Sequence, residues 1–164
     1  MDKILLFGGG GHSKSCVDVI ESSGVFQISG IVDPFLQELD LPYELINEEE
    51  PYEFLRKTID NAIVSVGQIE SPDIRKRIYS RLKAYKFNLP VIQSKYAYKS
   101  KYSEVNEGTI LMHFSLVNSF STIGKNCIIN SKSLLEHDVV VGDHCHIATG
   151  AILNGGVTVG DQTF

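Results

Sequence analysis

The chain has 164 residues, room for one or two domains, with 43% hydrophobic and 21% charged residues and a formal net charge of −5. No basic block stands out, so nucleic acid and anionic membranes are excluded as electrostatic partners. The one early apolar run, residues 4–7, is too short for a signal-peptide core or a membrane span, so the expectation is a cytoplasmic protein without membrane contact.

Residues 3–7 predict a buried strand. Gly8-Gly9-Gly10-Gly11-His12-Ser13 follows, and residues 15–23 predict a helix that ends at Gly24. Strand, glycine-rich turn and helix open a nucleotide-binding α/β unit. Glycines there let backbone N–H groups approach a phosphate at a helix N-terminus. The alternative is a tight turn that needs glycine only for its backbone shape. Gly8 and Gly10 fit the dinucleotide fingerprint, but Ser13 takes the place of its third glycine. The site is therefore sized for part of a mononucleotide rather than for NAD.

Residues 29–32 predict a second strand, which Asp33 ends before Pro34. That acid either accepts hydrogen bonds from a base or ribose or forms a turn. Residues 36–50 read as an acidic surface loop, with Glu48-Glu49-Glu50 as a solvated run. Residues 51–60 predict a helix. Residues 62–67 predict a third strand ending in Gly67, at the face where such sheets bind ligands. Ser71-Pro72-Asp73 opens a further helix. Its apolar face is Ile74, Ile78 and Leu82, and Arg75, Lys76, Arg77 and Arg81 fall on its solvated face. Residues 89–92 predict the last strand of a domain spanning residues 1–92, and residues 93–108 a connector.

From residue 109 to 164 a six-residue period takes over. Leu111, Val117, Ile123, Ile129, Leu135, Val141, Ile147, Leu153 and Val159 form an unbroken aliphatic series. Two places before each stands Thr109, Ser115, Ser121, Cys127, Ser133, Val139, Cys145, Ala151 or Val157, all small or β-branched. That period fits neither an amphipathic helix nor a half-buried strand; it is the signature of a hexapeptide parallel β-helix. Three hexapeptides make one triangular coil, and coils bury their aliphatic column only by stacking.

The corners repeat every eighteen residues. Gly124, Gly142 and Gly160 mark an edge that reads as tight turns. Met112, Asn130 and Ala148 mark a second edge. Asn118, Glu136 and Asn154 mark a third, with Ser119, His137 and Gly155 in the next column. Glu136-His137-Asp138 is the chemical centre. Imidazole can take a proton from an attacking amine or hydroxyl near neutral pH, and a neighbouring carboxylate can orient it. Gly155 leaves room beside His137. The alternative is an ordinary exposed corner histidine. His144 and His146 raise zinc binding with His137 and Asp138, but they sit on a turn and on a different side of the prism, so no metal is expected. Cys127 and Cys145 stack one coil apart, within reach of a disulfide; parallel side chains in a reducing cell favour two packed thiols.

Phe7-Gly8-Gly9-Gly10-Gly11-His12, Val32-Asp33, Ser65-Val66-Gly67 with Asp73-Ile74-Arg75-Lys76, and residues 130–150 resemble the sugar O-acyltransferases of the sialic acid O-acetyltransferase (NeuD) family. Within it the chain is most similar to PglD-type nucleotide-amino-sugar N-acetyltransferases. The resemblance implies an α/β, Rossmann-like parallel sheet followed by a left-handed parallel β-helix. It implies a homotrimer that binds acetyl-CoA between adjacent β-helices and acetylates a nucleotide-linked amino sugar, with UDP as the expected nucleotide, for surface polysaccharide or glycan synthesis. Gly8, Gly11, His12, Asp33 and Gly67 would hold the nucleotide sugar. His137 would be the general base, Asp138 its orienting partner, and Asn130 and His146 would lie by the acetyl group. O-acetylation of a sialic acid, or nucleotide-sugar binding without turnover, are the other readings. Asp138 stands where relatives often carry glutamate. The chain stops mid-repeat at Phe164, which reads as a truncated β-helix domain.

Overall fold

The computed structural model describes residues 1–49 and 51–164 and divides into two units. Of the acidic run, Glu48 and Glu49 are exposed, and Glu50 lies outside the described residues.

The first unit comprises residues 1–67 and 73–90. Its elements are β1 (Asp2–Phe7), α1 (Gly11–Ser23), β2 (Phe26–Val32), β3 (Leu45–Ile46), α2 (Tyr52–Arg56), β4 (Asn61–Val64) and α3 (Asp73–Ala84). The strands pair in parallel in the order β3-β2-β1-β4. The sheet therefore switches direction between β1 and β4, where ligands bind in such folds. Leu5 and Phe7 of β1 pack with Val32, Tyr52, Leu55, Val64, Leu82 and Phe87 on one face. Strand alternation turns Ile4 and Leu6, both fully buried, to the other face.

α1 begins at Gly11, four residues before the predicted start, with Gly10 as its N-cap. Glycine's poor helix propensity hides this start in the sequence. The helix ends at Gly24 in the left-handed conformation, φ 66°, as predicted. Arg75, expected on a solvated face, is fully buried, and its Nη1 donates to the carbonyls of Val64 (3.1 Å) and Val66 (2.5 Å). It ties the end of β4 and the chain just beyond it to α3. Residues 89–92 form no strand of this sheet; only Asn88 bridges to Asn61.

The second unit, residues 68–72 and 91–164, is a left-handed parallel β-helix with three four-stranded faces. One face stacks Ile92–Gln93, Ile110–Leu111, Ile128–Ile129 and His146–Ile147. The second stacks Tyr98–Lys99, Leu116–Val117, Leu134–Leu135 and Ile152–Leu153. The third stacks Glu104–Val105, Thr122–Ile123, Val140–Val141 and Thr158–Val159. Residues 93–108, expected as a connector, are the first coil. Gln93 and Lys99 occupy its aliphatic positions and conceal the period; their side chains reach the carbonyls of Ala97 (3.1 Å) and Ser103 (3.0 Å).

Leu111, Val117, Ile123, Ile129 and Leu135, from all three faces, are fully buried in one core. Their small partners are buried too, and each hydroxyl is satisfied. Thr109 donates to Gly124 O (2.8 Å), Ser115 to Met112 O (2.8 Å), Ser121 to Glu136 O (2.7 Å) and Ser133 to Asn130 O (2.7 Å). Cys127 and Cys145 are free thiols in the same role, donating to Gly142 O (3.1 Å) and Gly160 O (3.0 Å). The neighbouring Cys145 sulfur, and after it burial, raise the Cys127 pKa.

The glycine edge has a reason other than turn conformation, since neither Gly124 nor Gly142 has a positive φ. A Cβ on Gly124 would lie 2.5 Å from the Gly142 carbonyl, so the coils stack too closely there for any side chain. Asp143 and Asp161 complete the edge by accepting the N–H of Lys125 (2.7 Å) and Asp143 (2.8 Å) one coil below.

Leu135→Ala should destabilise the fold by about 2–5 kcal/mol, the cost of a cavity in a packed column, read from urea unfolding. Burial raises the Cys16 thiol to about 12. Ellman's reagent at pH 8 should therefore leave Cys16 unmodified in the native protein and modify it after denaturation.

Candidate active site

Two constellations of polar groups stand out. The first lies at the C-terminal ends of β1, β2 and β4. Gly8 has φ 116°, and a Cβ there would collide with the Val66 side chain and lie 2.9 Å from its nitrogen. Ser65 Oγ donates to Gly8 O at 2.7 Å. Gly67 faces His12, since a Cβ at Gly67 would sit 3.3 Å from the His12 Cβ. Gly10 and Gly11 open the helix with clear space where side chains would stand. The sheet thus brings Gly8, Gly11, His12 and Gly67 to its switch point, where the N-terminus of α1 favours an anion.

Asp33 belongs to the same cluster. Its Oδ2 accepts the Gly9 N–H at 2.9 Å and its Oδ1 accepts the Phe35 N–H at 3.0 Å. The turn-forming reading of this acid is realised, and the carboxylate also fixes the glycine loop.

The second constellation is on the β-helix, at two of its corners. Asp138 adopts the left-handed conformation, φ 59°, which aspartate tolerates better than most residues. That kink lets adjacent side chains converge where a strand would send them to opposite faces. His137 Nδ1 donates to Asp138 Oδ2 at 2.8 Å, with both side chains more than 60% exposed. Nδ1 therefore carries the proton and Nε2 presents its lone pair. The room beside it is real: a Cβ on Gly155 would lie 2.7 Å from Nε2 and 2.6 Å from Cε1. Glu136 does not join the pair. Its Oε2 accepts Asn118 Nδ2 at 2.9 Å in the neighbouring column.

At another corner Asn130 Nδ2 and His146 Nε2 are 2.9 Å apart. Asn130 Oδ1 accepts the Ser131 N–H at 2.7 Å, so its NH₂ group must face the imidazole. His146 Nδ1 is 2.6 Å from the carbonyl oxygen of Gln68 and so donates to it. His146 is held neutral with its proton on Nδ1, the opposite of a solvent-facing base. Gln68, which nothing in the sequence singles out, clips this corner twice, because its Nε2 also donates to His144 O at 3.0 Å. His144 pairs with Asn126 Nδ2 at 2.9 Å rather than joining His137 or His146. Among the described residues no group of three or more His, Cys, Asp or Glu is placed to hold a metal ion. No described helix is long and apolar enough to cross a membrane.

Comparison with known proteins identifies the class. Residues 3–82 match the PglD N-terminal domain, and residues 121–155 match the bacterial transferase hexapeptide (six repeats). In this chain a PglD-type N-terminal domain thus precedes transferase-type hexapeptide repeats, the pairing its motifs resemble. No curated sequence matches it.

Among solved structures it is similar to a GDP-perosamine N-acetyltransferase variant from Caulobacter crescentus, in complex with CoA and GDP-perosamine. The TM-score is 0.89 and the identity 24%, over 96% of this chain and 74% of that one. It is similar to the acetyltransferase domain of PglB from Neisseria gonorrhoeae, with TM-score 0.79 and 22% identity over 98% and 86% of the two chains. WeeI from Acinetobacter baumannii follows at TM-score 0.58 and 18% identity, over 98% and 89%. These likenesses establish the fold.

Gly155→Ala should push the His137 ring off Asp138 while the coils stay stacked. Imidazole NMR resonances of His137 should move, with the melting temperature little changed.

Proposed function

We propose that the chain transfers an acetyl group from acetyl-CoA to the amine of a nucleotide-linked amino sugar, with His137 as general base. The observation that carries this is the His137–Asp138 pair with Nε2 open above Gly155. Support comes from the similar C. crescentus enzyme, crystallised with CoA and GDP-perosamine, and from the N. gonorrhoeae domain, crystallised with acetyl-CoA. Gly8, Gly11, His12, Asp33 and Gly67 of the first unit are the residues proposed to hold the nucleotide sugar.

The chemistry follows from the proton inventory. The amine nitrogen attacks the thioester carbonyl carbon. A C–N bond forms, the amine proton passes to His137 Nε2, the C–S bond breaks, and the proton passes on from Nε2 to the departing thiolate, so that CoA leaves as its thiol and the imidazole is neutral again. Asp138 stabilises the imidazolium through Nδ1. Asn130 offers an amide N–H pinned by Ser131 and His146, a fit for the thioester oxygen as negative charge grows on it. His146 acts by orienting Asn130, since both its ring nitrogens are engaged.

His137 and Asn130 stand at successive corners of the prism, separated by the flat side that carries Leu134–Leu135, roughly 10 Å of strand from residue 133 to 136. Groups serving one acetyl centre must sit within about 3 Å of it. A site using both needs them from different copies, which supports the homotrimer with acetyl-CoA between β-helices. The reaction is proposed for a cytoplasmic pool of substrate. UDP-linked sugars are one candidate class beside GDP-linked ones.

CoA thiol release with UDP-, GDP- and dTDP-amino sugars and free sialic acids tests the reading. Turnover with an amino sugar is expected, and turnover with sialic acids alone would replace amine by hydroxyl transfer. His137→Ala should lower kcat by about 10²–10⁴. A fully active His137→Ala protein would remove the assignment.

A further inference from the structure

A fully buried cation stands behind the glycine loop of the first unit. Arg75, on α3, donates from Nη1 to the carbonyls of Val64 and Val66 at 3.1 and 2.5 Å. Taking a guanidinium out of water is costly, and hydrogen bonds to its N–H groups offset only part of that cost. Its charge is felt on α1: burial raises the Cys16 thiol, and the Arg75 charge pulls it back down. The reason for keeping such a residue lies in the peptide it holds.

The bonds of β4 tell which way each peptide points. Ser65 N donates to Phe7 O at 2.9 Å, so this N–H faces β1. A trans peptide sets its C=O and its N–H in opposite directions, so the Val64 carbonyl faces away from β1, toward Arg75. The Val66 carbonyl, two residues on, meets the same nitrogen and lies on the same side. Across the next peptide the Gly67 N–H is therefore turned to the side of β1. There β1 has ended at Phe7, and the glycine loop and the first turn of α1 stand in its place. Close contacts agree: a Cβ on Gly8 would lie 2.9 Å from Val66 N, and one on Gly67 would lie 3.3 Å from the His12 Cβ. The first N–H groups of α1 have no carbonyl within the helix to bond. Gly67 adds a donor beside them, and converging backbone N–H groups favour an anion.

We infer that Arg75 is a positioning residue of the nucleotide-sugar site. It anchors the Val66 carbonyl and so aims the Gly67 N–H, next to the first turn of α1, at a phosphate of the acceptor. The inference rests on the proposed nucleotide-linked acceptor and names the side chain that sets one of its donors. Arg75 itself touches no ligand. A guanidinium that only held the fold together would lower the melting temperature when removed and weaken every ligand alike.

Titration calorimetry first selects the tightest of UDP, GDP and dTDP for the wild-type protein. Arg75→Met, which keeps bulk and removes the donors, should raise Kd for that diphosphate about tenfold and leave Kd for CoA unchanged. Gly67→Pro, which removes the N–H, should cost as much. The two together should cost no more than either alone, because both remove the same donor. In isotope-labelled wild-type protein the Gly67 amide resonance should move when the diphosphate is added.

Wild-type diphosphate affinity in a folded Arg75→Met protein overturns the inference. So does an equal loss of CoA affinity, or losses that add in the double variant. Should Arg75→Met not fold, the Gly67 amide decides: a resonance that ignores bound diphosphate overturns the assignment, and one that moves, together with the loss in Gly67→Pro, upholds it. Binding is read apart from turnover. A protein that binds the diphosphate through Gly67 but acetylates no amino sugar loses the transfer reading and keeps this one. A wild-type protein that binds none of the three diphosphates overturns both.

Discussion

The structure depends on a close approach. Parallel coils rise by one strand spacing, about 4.8 Å, and every inward residue must fit between copies of itself above and below. Large aliphatics alternate with Ser, Thr, Cys or Val for that reason, and the glycine edge allows no Cβ between Gly124 and Gly142. Buried hydroxyls and thiols are accepted because each donates to a corner carbonyl, so the interior hides no unpaired polar group at those positions. Only the corners are free to carry chemistry.

The same stacking sets the electrostatics of those corners. A left-handed residue turns Asp138 back toward His137 and fixes the proton on Nδ1. At the other corner a strand position buries His146 to 7% exposure, and Gln68 and Asn130 fix its proton on Nδ1 as well. Two histidines nine residues apart thus share a tautomer and differ in use. One offers its second nitrogen to solvent and suits proton transfer; the other uses its second nitrogen to aim an amide.

The sequence showed the β-helix plainly, because its period is strict and no other fold repeats a large aliphatic every six residues. It did not show the first coil, where Gln93 and Lys99 replace aliphatics at the end of the stack and reach carbonyls instead. Glu136-His137-Asp138 was visible as a cluster. Which acid paired with the histidine was a matter of backbone twist, and the kink at Asp138 settles it. Arg75 was misread because helical periodicity places it among charges, whereas the carbonyls of Val64 and Val66 draw it inward. Gln68 carried no signal, since one of its two bonds uses a main-chain carbonyl that any residue would supply and both reach partners 76 and 78 residues away in the chain.

The central claim is that the prism places base and amide on separate corners, so that one acetyl centre is served by two copies. Mixing tests it directly. His137→Ala and Asn130→Ala proteins, each inactive alone, are unfolded together, refolded and assayed for CoA release. Sharing between copies predicts recovery of up to about a quarter of native activity, one intact site in each mixed trimer. No recovery from mixed oligomers whose presence is verified by mass would contradict it.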